Sequence, residues 1–517
     1  HAGFMSVGAY TAALFTINAG LPYGVSFPVA LVLGGVMAAL FGLVIGIPAL
    51  RLKGDYLAIM TLGFGEIIRV IIINLDFTGG ARGLRGIPRL TNFTAVYLVM
   101  LITLVALYAL IRSRQGRAIL SIREDDVAAE STGVPTTYVK VVAFTLSAFF
   151  AGVAGGLYAH YVGVLDATNF GFAKSIDILV MVVLGGMGSL TGSVVAGTLL
   201  TMLPEALRQF SDYRMLVYSI LLIAMMIFRP IGLMGTNEFS LTRLFNALFH
   251  RNGRALPDVE PEKAYRAMLE VNDLGIAFGG LQALKNVSFT LDPGEIVCLI
   301  GPNGAGKTTV FNLLTAVYVP TAGTIEMNKR SLVGKATHQI TEMGMARTFQ
   351  NIRLFKDLTV MDNIKIGFHH QMNYSTANGV TRTGRYWTEE EEIEIRALEL
   401  LKVFGLEGLA QAKAGNLPYG QQRKLEIARA LATKPKILLL DEPAAGMNHT
   451  ETAELMETIR LISKRFSLAI LLIEHDMSLV MGICQRIIVL DYGQVIATGT
   501  PAEIQKNERV IGAYLGQ

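Results

Sequence analysis

The first 50 residues of this chain contain no aspartate, glutamate, lysine or arginine. Soluble domains carry roughly 25% charged residues, so a charge-free stretch of this length is typical of helices embedded in a membrane. The deficit continues further, because the first 235 residues hold 26 charged side chains and the remaining 282 hold 60. We therefore expect a membrane part followed by a soluble part. A single soluble globule, a disordered chain and a disulfide-rich scaffold are excluded.

Charge and cysteine content narrow the environment of both parts. The net charge of +4 arises before residue 235, since basic and acidic residues number 30 each after it. Nucleic-acid binding is therefore not indicated, and the small positive excess is typical of cytoplasmic loops. Cys298 and Cys484 lie in apolar runs of the soluble part, so we expect buried, reduced thiols. Because residue 1 is histidine inside an apolar run, we interpret the chain as truncated at its N-terminus.

Membrane-spanning helices need about 20 mostly apolar residues. The candidate spans are 25–50, 56–75, 95–111, 139–162 and 215–228, with a partial one over 4–19. A further apolar run, 176–203, contains the glycine-rich stretch 185–192, which predicts either one kinked span or two half-helices. If both the soluble part and the arginine-rich stretch 112–126 are cytoplasmic, an even number of crossings must separate them. The predicted spans 139–162 and 215–228 already supply two crossings between them. This parity favours a re-entrant hairpin, with no net crossing, for the run 176–203.

Two polar features of the membrane part have functional and structural interpretations. Asp55, Glu66 and Arg69 lie in or beside a predicted span, where ionisable groups often serve a transport pathway. The favoured alternative is that Glu66 and Arg69, three residues apart, satisfy each other. The charged segment 116–135 is either a solvated loop or a docking helix. Its docking face would consist of Ile119, Leu120, Ile122, Val127 and Ala128.

The soluble part contains a phosphate-binding motif. Residues 236–263, with Pro257 and Pro261 among charged residues, are interpreted as a linker between domains 1–235 and 264–517. The apolar run 295–300 then leads into a complete G-x-x-x-x-G-K-[ST] sequence before a helix-forming stretch, which is the context of a P-loop. Its backbone N–H groups and Lys307 would bind ATP phosphates, and Thr308 would bind Mg²⁺. The predicted nucleotide-binding residues here are Gly301, Pro302, Asn303, Gly304, Ala305, Gly306, Lys307, Thr308 and Thr309.

A second motif supplies the carboxylates. Four apolar residues, 437–440, end in Asp441 and Glu442. This pattern places Asp441 at the carboxyl end of a strand, where open α/β sheets bind ligands. Beside a P-loop, we expect Asp441 to bind Mg²⁺ through water and Glu442 to be the general base for the attacking water.

Four further stretches resemble ATP-binding cassette ATPases. Residues 417–422 (LPYGQQ) look like the family's signature motif, and Gln350 its Q-loop glutamine. His475 resembles the switch histidine, and Phe278 the aromatic residue that stacks on adenine. With the P-loop and the Asp441–Glu442 pair, all six markers occur in the family's order. The resemblance implies catalytic roles for Gln350 and His475, a Mg²⁺ contact for Gln350, and phosphate contacts for Gly420 and Gln421.

The resemblance can be narrowed to the branched-chain amino-acid uptake systems. Residues 350–355, the long insertion up to 416, residues 444–448 and the ending 499–516 are similar to the ATPase of those systems. Residues 1–10 and 53–69 resemble their permease. The chain thus looks like a permease and an ATPase fused in one polypeptide. This implies an all-α polytopic membrane domain followed by an α/β P-loop domain, with segment 116–135 as the coupling helix that contacts the ATPase.

Two motifs depart from the cassette pattern. Pro418 stands where the signature usually has serine, and Tyr419 where the following glycine stands, so the family's hydroxyl contact to a γ-phosphate cannot be assumed. The backbone of Gly420, at a helix N-terminus, can still bind an anion. The D-loop position usually occupied by aspartate is Asn448, which puts its role across a dimer in doubt.

The resemblance also implies the partners and the location. Cassette ATPases bind ATP between two subunits, so we expect a second permease, a second ATPase and an extracytoplasmic solute-binding protein, with membrane lipid around the permease and no nucleic acid. The protein would lie in the plasma membrane, the bacterial inner membrane, with a cytoplasmic ATPase domain. The alternatives are an importer of urea, amides or aromatic acids, an exporter, and a membrane-tethered ATPase without transport.

Overall fold

The computed structural model describes residues 1–52, 54–206, 214–229, 231–235 and 268–515. Contacts divide the chain into two compact units, one of His1–Tyr108 with Thr137–Arg254 and one of Ala109–Thr136 with Ala255–Gln517. Residues 109–136 therefore group with the second unit, although they lie between two stretches of the first in sequence. The domain boundary at 235 and the linker 236–263 remain predictions, because residues 236–267 lie outside the described part.

The described part up to residue 235 is helical. In chain order its α-helices are α1 (Ala2–Asn18), α2 (Tyr23–Ala49), α3 (Asp55–Asn74), α4 (Phe93–Ile111), α5 (Arg114–Glu124), α6 (Asp126–Ser131), α7 (Thr136–Val162), α8 (Phe172–Gly185), α9 (Leu190–Ala206) and α10 (Arg214–Phe228). Short 3₁₀ turns cover Asp76–Thr78, Gly80–Arg82 and Ala167–Phe170. Among the residues that the structure describes, four helices are long and apolar enough to cross a membrane: α2, α3, α4 and α7. The predicted spans over 4–19 and 215–228 coincide with α1 and α10, which have 17 and 15 residues.

Glycine lets the helices of the first unit approach each other through their backbones. A Cβ placed on Gly8 of α1 would lie 2.3 Å from Cα of Gly152 in α7. One placed on Gly155 would lie 1.9 Å from the carbonyl oxygen of Met5. Close packing on small residues is how membrane helices associate, because lipid removes the hydrophobic drive between them. The glycines of α1 and α7 therefore set the spacing of this pair.

The glycine-rich run divides into two helices, as one of the predicted alternatives states. Helix α8 ends at Gly185 and α9 begins at Leu190. The two helices pack against each other, and a Cβ on Gly185 would lie 2.5 Å from the backbone of Gly192. Leu184, Ala196 and Leu200 form the buried contact between them. The run is therefore a pair of adjacent helices rather than one kinked helix.

Two ionisable residues of α3, Glu66 and Arg69, satisfy each other. Arg69 Nε donates to Glu66 Oε2 at 2.7 Å, and the two side chains are 27% and 35% exposed. This confirms the favoured expectation of an intrahelical pair. Asp55 is the first residue of α3, and its side chain lies outside the described part.

The described residues of the second unit form two sheets. Its strands are β1 (Leu269–Phe278), β2 (Leu281–Leu291), β3 (Ile296–Ile300), β4 (Ala322–Met327), β5 (Arg330–Ser331), β6 (Met345–Arg347), β7 (Ile437–Asp441), β8 (Ala469–Ile473), β9 (Arg486–Asp491) and β10 (Gln494–Gly499). One sheet has the order β10-β9-β3-β8-β7-β6, parallel apart from β10, and the other is antiparallel in the order β2-β1-β4-β5. Every residue of β3, β7 and β8 is buried, because helices cover both faces of a parallel sheet.

Helices surround these sheets. In chain order they are α11 (Lys307–Leu314), α12 (Thr337–Met343), α13 (Val360–Gly367), α14 (Thr376–Thr381), α15 (Gly384–Val403), α16 (Tyr419–Ala432), α17 (His449–Phe466), α18 (Met477–Ile483), α19 (Pro501–Ile504) and α20 (Glu508–Leu515). Short 3₁₀ turns cover His369–Gln371, Glu407–Leu409 and Ala414–Asn416. The two-residue period of β3 divides the core, since Val297 and Leu299 face one cluster and Cys298 and Ile300 the other.

Strand order determines where the functional side chains meet. The parallel strands β3, β8 and β7 are neighbours, with Cys298 paired to Leu472 and Asp441 paired to Ile473. The P-loop, Glu442 and His475 follow the carboxyl ends of these strands, so they share one edge of the sheet. Both cysteines are free and buried, as expected.

Candidate nucleotide-hydrolysis site

The P-loop has the predicted strand and helix on either side. Strand β3 ends at Ile300, and α11 begins at Lys307. Glycine is required at two of its positions. Gly301 has φ 152° and a Cβ there would lie 2.0 Å from the Leu490 carbonyl oxygen, while Gly306 has φ 101°. A loop of this shape directs its N–H groups inward, where they can bind phosphate.

Lys307 folds back on the loop that it follows. Its Nζ donates to the carbonyl oxygens of Gly301 at 2.7 Å and Pro302 at 3.0 Å. Burial lowers the pKa of Lys307, an effect that the nearby Glu442 and Asp441 only partly oppose. Thr308, the next residue, is exposed at the same end of α11. The ammonium and the hydroxyl therefore lie beside the phosphate cradle.

The two carboxylate oxygens of Asp441 differ in their hydrogen bonding. Its Oδ2 accepts a hydrogen bond of 2.8 Å from Arg347 Nη2, whereas its buried Oδ1 has no hydrogen-bond partner among the described residues. Burial raises the pKa of Asp441, although Arg347 opposes this effect. No cluster of three or more His, Cys, Asp or Glu side chains that could hold a metal occurs in the described ranges. Magnesium would fit here only with help from the spare Asp441 oxygen, the Thr308 hydroxyl and phosphate oxygens.

Gln350, Glu442 and His475 meet at this edge. Gln350 Nε2 donates to Glu442 Oε2 at 2.8 Å, and His475 Nε2 lies 3.2 Å from Glu442 Oε1. Glu442 has φ 45°, a left-handed conformation that glutamate rarely adopts, and its N–H donates to the Ile473 carbonyl at 2.9 Å. Backbone strain of this kind is found at functional sites, where surrounding contacts hold the residue. The structure thus brings together three side chains that the sequence places far apart.

Sequence reasoning missed Arg423 of α16, the helix that carries the signature motif. Its side chain bonds to the stretch 349–353 around Gln350, which we call the Q-loop. Its Nη1 and Nη2 donate to the carbonyl oxygens of Phe349 and Gln350 at 2.7 and 2.8 Å. The side chain is fully buried and pairs with Glu426 at 2.8 Å. The only local signal was the spacing of three between these charged residues on an otherwise apolar helix face. The site also depends on Arg347 at the end of β6, which sequence reasoning did not single out.

The remaining cassette markers lie elsewhere on the unit. Gly420 and Gln421 form the first turn of α16, where a Cβ on Gly420 would lie 3.3 Å from Glu451 Oε1. Pro418 is the residue that precedes this helix, and the Tyr419 hydroxyl donates to the Ala445 carbonyl at 3.0 Å. The structure gives Asn448 a local role as the N-cap of α17. It forms a capping box in which its N–H and its Oδ1 each bond to Glu451 at 3.0 Å.

Phe278 ends strand β1 in the antiparallel sheet. It is 43% exposed and packs edge to face on Tyr318, with ring centroids 5.1 Å apart. An aromatic ring with an open face can stack on a nucleobase.

The predicted docking segment is folded against the cassette within the second unit, but with a different face. Val127 is 43% exposed, so its assignment to the buried face is wrong. Ile119, Leu120 and Ile122 are only half-buried, and Ala128 is buried. The residues that are buried in α5 and α6 are Gly116, Arg117, Ala118, Ser121, Ala128, Ala129 and Ser131. Small and charged residues form this face because its partners are polar.

One of those polar partners is the Q-loop itself. Arg353 Nη1 donates to both carboxylate oxygens of Asp125, at 2.9 and 3.2 Å. Asp125 joins the two helices of the segment and caps α6 by accepting from the Ala128 N–H at 2.9 Å. Arg353 stands three residues after Gln350, so one short stretch of chain contacts both Glu442 and the docking segment.

Comparison with known protein families matches three parts of the chain. Residues 1–228 match the permease component of branched-chain amino acid transport systems. Residues 284–445 match the ABC transporter family, and residues 494–517 match a family described as branched-chain amino acid ATP-binding cassette transporter.

Individual relatives agree with these matches. The LivG protein of Salmonella typhimurium, described as a high-affinity branched-chain amino acid transport ATP-binding protein, is 50% identical over 250 residues, which are 98% of LivG and 48% of this chain. The chain belongs to the branched-chain amino acid ATP-binding cassette transporters. BraF of Pseudomonas aeruginosa, of the same description, is 44% identical over 252 residues, covering 99% of BraF and 49% of this transporter chain.

The membrane part has its own relative. The permease LivM of Salmonella typhimurium is 40% identical over 269 residues, which are 45% of this transporter chain and 62% of LivM. The predicted fold class, family and activity are confirmed. The transporter joins an apolar helical permease to an α/β cassette ATPase that hydrolyses ATP coupled to transport. It is a multi-pass inner-membrane protein with a cytoplasmic ATPase.

Proposed function

We propose that this transporter takes up branched-chain amino acids into the cell at the expense of ATP. One observation carries the coupling: the stretch 350–353 contacts the candidate catalytic carboxylate at one end and the docking segment at the other. Gln350 bonds to Glu442 at 2.8 Å and Arg353 bonds to Asp125 at 2.9 Å. A change at the nucleotide is therefore transmitted to the segment between α4 and α7. The substrate class is supported by the descriptions of LivG, BraF and LivM.

ATP would bind along the P-loop edge. The backbone N–H groups of residues 301–306 and the N-terminus of α11 favour the negative phosphates. Lys307 would exchange its contacts with the Gly301 and Pro302 carbonyls for the β- and γ-phosphate oxygens. Asn303, Gly304, Ala305 and Thr309 complete the cradle, and Phe278 stacks on the adenine through its exposed face.

Three side chains would hold Mg²⁺. They are Thr308 through its hydroxyl, Asp441 through a water on its spare Oδ1, and Gln350 through its amide oxygen. When bound, the ion neutralises charge on the phosphate oxygens. Arg347 keeps the Asp441 carboxylate oriented by holding its other oxygen.

Hydrolysis would depend on Glu442 as general base. Its carboxylate is oriented by Gln350 on one oxygen and His475 on the other, and it accepts the proton of the water that attacks the γ-phosphorus. His475 would position the γ-phosphate and the water.

The signature residues would act on a second nucleotide. As in the cassette family, Gly420 and Gln421 would contact ATP held by the P-loop of a second ATPase subunit. Because Pro418 and Tyr419 replace the usual small residues, the backbone N–H groups at the start of the 14-residue α16 must bind that phosphate. A second permease subunit, an extracytoplasmic solute-binding protein and surrounding lipid complete the assembly.

Transport in a purified system tests this proposal. The full chain, its second permease and second ATPase are reconstituted into liposomes with ATP inside and the binding protein outside, and uptake of labelled leucine, isoleucine and valine is measured. We expect accumulation that requires both ATP and the binding protein. Accumulation without ATP would contradict the coupling.

The same liposomes separate the alternatives. Labelled urea, acetamide and phenylalanine replace the branched-chain amino acids in parallel samples. Accumulation of one of these compounds, with none of leucine, would reassign the substrate. ATP-dependent loss of preloaded leucine, independent of the binding protein, would identify an exporter. ATP hydrolysis that is indifferent to every solute would identify an ATPase without transport.

A further inference from the structure

The long insertion of the cassette holds the docking segment through a buried ion pair. Arg117 of α5 bonds to Glu390 of α15 through two hydrogen bonds, Nη2 to Oε1 at 2.6 Å and Nη1 to Oε2 at 3.0 Å. The two side chains are 8% and 10% exposed and stand 273 residues apart in sequence. We call residues 372–390 the clasp.

Tyr374 connects the same carboxylate to the start of α5. Its hydroxyl donates to Glu390 Oε1 at 2.7 Å and accepts from the backbone N–H of Arg114 at 2.5 Å. That N–H belongs to the first turn of α5, where helix donors lack partners within the helix. The Arg114 side chain donates to the Met372 carbonyl, and Gln115 Nε2 donates to the Tyr374 carbonyl at 3.1 Å. The clasp therefore recognises both the end of a helix and its side chains.

Sterics and charge make the fit specific. A Cβ placed on Gly379 would lie 2.9 Å from Cβ of Ser113, so the helix start sits directly on the clasp backbone. Burial raises the pKa of Glu390, but Arg117 and Lys365 outweigh it and hold that pKa below its ordinary value. Glu390 is therefore ionised. Arg117 bonds to both of its carboxylate oxygens, whereas Lys365 Nζ lies 3.7 Å from Oε2, beyond hydrogen-bond distance.

We propose that the clasp is a pairing site that selects a helix N-terminus carrying an arginine, as α5 does, over a permease segment that lacks it. The inference deepens the proposed function and rests on it for the existence of a second permease that competes. A segment without the arginine would leave Glu390 buried without its two bonds to a guanidinium and with only Lys365, 3.7 Å away, as a cation. Loss of the hydrogen-bonded partner of a buried charge is destabilising, so the ion pair discriminates more than an apolar contact of equal area.

The clasp and the Q-loop contact have separate roles. Arg353 and Asp125 are 41% and 21% exposed, and surface ion pairs of this kind contribute little to binding. The Arg117–Glu390 pair is buried and bidentate. The clasp therefore retains the segment, while the Arg353–Asp125 contact transmits change at the nucleotide.

Retention of the cassette after cutting the chain tests the clasp. A protease site is placed in the predicted linker of the full chain, membranes are treated with protease without nucleotide, and release of the cassette fragment is followed over time. We expect slow release from the unaltered chain. Glu390→Met alone should accelerate release on the order of 100-fold, because it leaves the buried Arg117 without its carboxylate partner. Arg117→Met alone should also accelerate release, but by less, because Lys365 still lies 3.7 Å from Glu390.

Two further variants distinguish loss of the ion pair from loss of folding. In the double variant Arg117→Met/Glu390→Met neither charge remains, so release should return toward the unaltered rate. Tyr374→Phe removes one hydroxyl without exposing a charge and should accelerate release by about tenfold or less. Arg396→Met is the matched control, since Arg396 lies outside the clasp, is 31% exposed and pairs with Glu392 on its own helix. It should not change release.

The outcomes are distinct. Single variants that release at the unaltered rate would overturn the pairing role, and so would a double variant as fast as the singles. Leucine uptake by the uncut chain is measured in parallel. Failed leucine uptake in the unaltered chain would refute the proposed function while leaving the release test valid. Normal retention in the single variants with intact uptake would refute the clasp alone.

Discussion

The cassette presents two charged surfaces that are built differently. At the nucleotide edge, Glu442 bonds to Gln350 at 2.8 Å and to His475 at 3.2 Å, and the His475 side chain is 43% exposed. At the docking surface, Arg117 and Glu390 share two hydrogen bonds and are about 10% exposed or less. His475, beside the proposed base, stays accessible to water, whereas the pair that holds another part of the chain is removed from it. Variants can test whether the two surfaces are as separate as this contrast suggests.

The largest effect is expected at the nucleotide edge. Glu442→Gln retains the hydrogen bonds but removes the base, so ATP turnover should fall on the order of 10²–10⁴-fold while ATP still binds. Single-turnover hydrolysis by the reconstituted transporter measures this. Glu454→Gln is the control, since Glu454 is 59% exposed on α17. Unchanged ATP turnover in Glu442→Gln would show that Glu442 is not the base. Faster release of the cut cassette in the same variant would show that the nucleotide edge and the docking surface are not separate.

Arg423 connects the two surfaces through the Q-loop, so its loss should affect both. Arg423→Met leaves Glu426 buried and the Phe349 and Gln350 carbonyls without their donor, which should cost about 3–5 kcal/mol of cassette stability. Chemical unfolding in detergent measures the loss. Arg460→Met, at a pair whose side chains are 47% and 73% exposed, should cost less than about 1 kcal/mol. Equal losses of unfolding free energy in Arg423→Met and Arg460→Met would mean that the bonds of Arg423 to Glu426 and the Q-loop contribute no more than a surface ion pair.

Acid should weaken the docking surface before the nucleotide edge. Burial, with Arg114 and Lys434 nearby, lowers the pKa of His370 from 6.5 to about 4, and its ring lies against Gly133 of the docking segment. The folded state then binds fewer protons than the unfolded state, so stability is lost as the pH falls from about 6.5 toward 4. The loss should reach up to about 3 kcal/mol. Thermal unfolding at pH 7 and pH 5 should show a smaller difference for His370→Gln than for the unaltered protein.

The outcome that contradicts this prediction is an identical pH dependence in the two proteins. His449→Gln serves as the control, because His449 is exposed at the start of α17 and should leave the pH dependence unchanged.

The smallest effect on stability is expected at Asp125. Asp125→Asn keeps an acceptor for the Ala128 N–H, and asparagine is as good an N-cap as aspartate. Only the ion pair to Arg353 is lost, so the free energy of unfolding should change by about 1 kcal/mol or less. The stimulation of ATP hydrolysis by leucine and binding protein should nevertheless decrease. Undiminished stimulation would show that the Q-loop does not transmit through this pair.

The nucleotide edge could be predicted from the sequence because its signals are local. The P-loop is contiguous, Asp441 and Glu442 directly follow an apolar strand, and Gln350 and His475 were assigned by resemblance. Those motifs name the residues but not their contacts. Sheet order, which brings β3, β8 and β7 side by side, depends on pairing between distant segments, and the left-handed backbone of Glu442 has no sequence signal.

The docking surface could not be predicted in the same way. Its ion pair joins residues that are 273 positions apart in the sequence. The amphipathic pattern of segment 116–135 predicts an apolar docking face that includes Val127. The true partners are a carboxylate, a phenol and main-chain carbonyls, so small residues and Arg117 are buried instead. Hydrophobic periodicity predicts which helix face packs on an apolar surface, but it does not predict a helix face that packs on a charged surface.

The fusion of permease and ATPase in one polypeptide has a consequence for assembly. Covalent connection supplies a neighbouring module at an effective concentration on the order of millimolar, whatever the number of chains in the cell. A separately synthesised ATPase, present at far lower concentration, cannot displace the cassette from its own docking segment by mass action. The tether therefore governs how often the two meet, and the buried arginine governs how long they stay together. Heterologous subunits added in excess should enter only at the other half of the transporter.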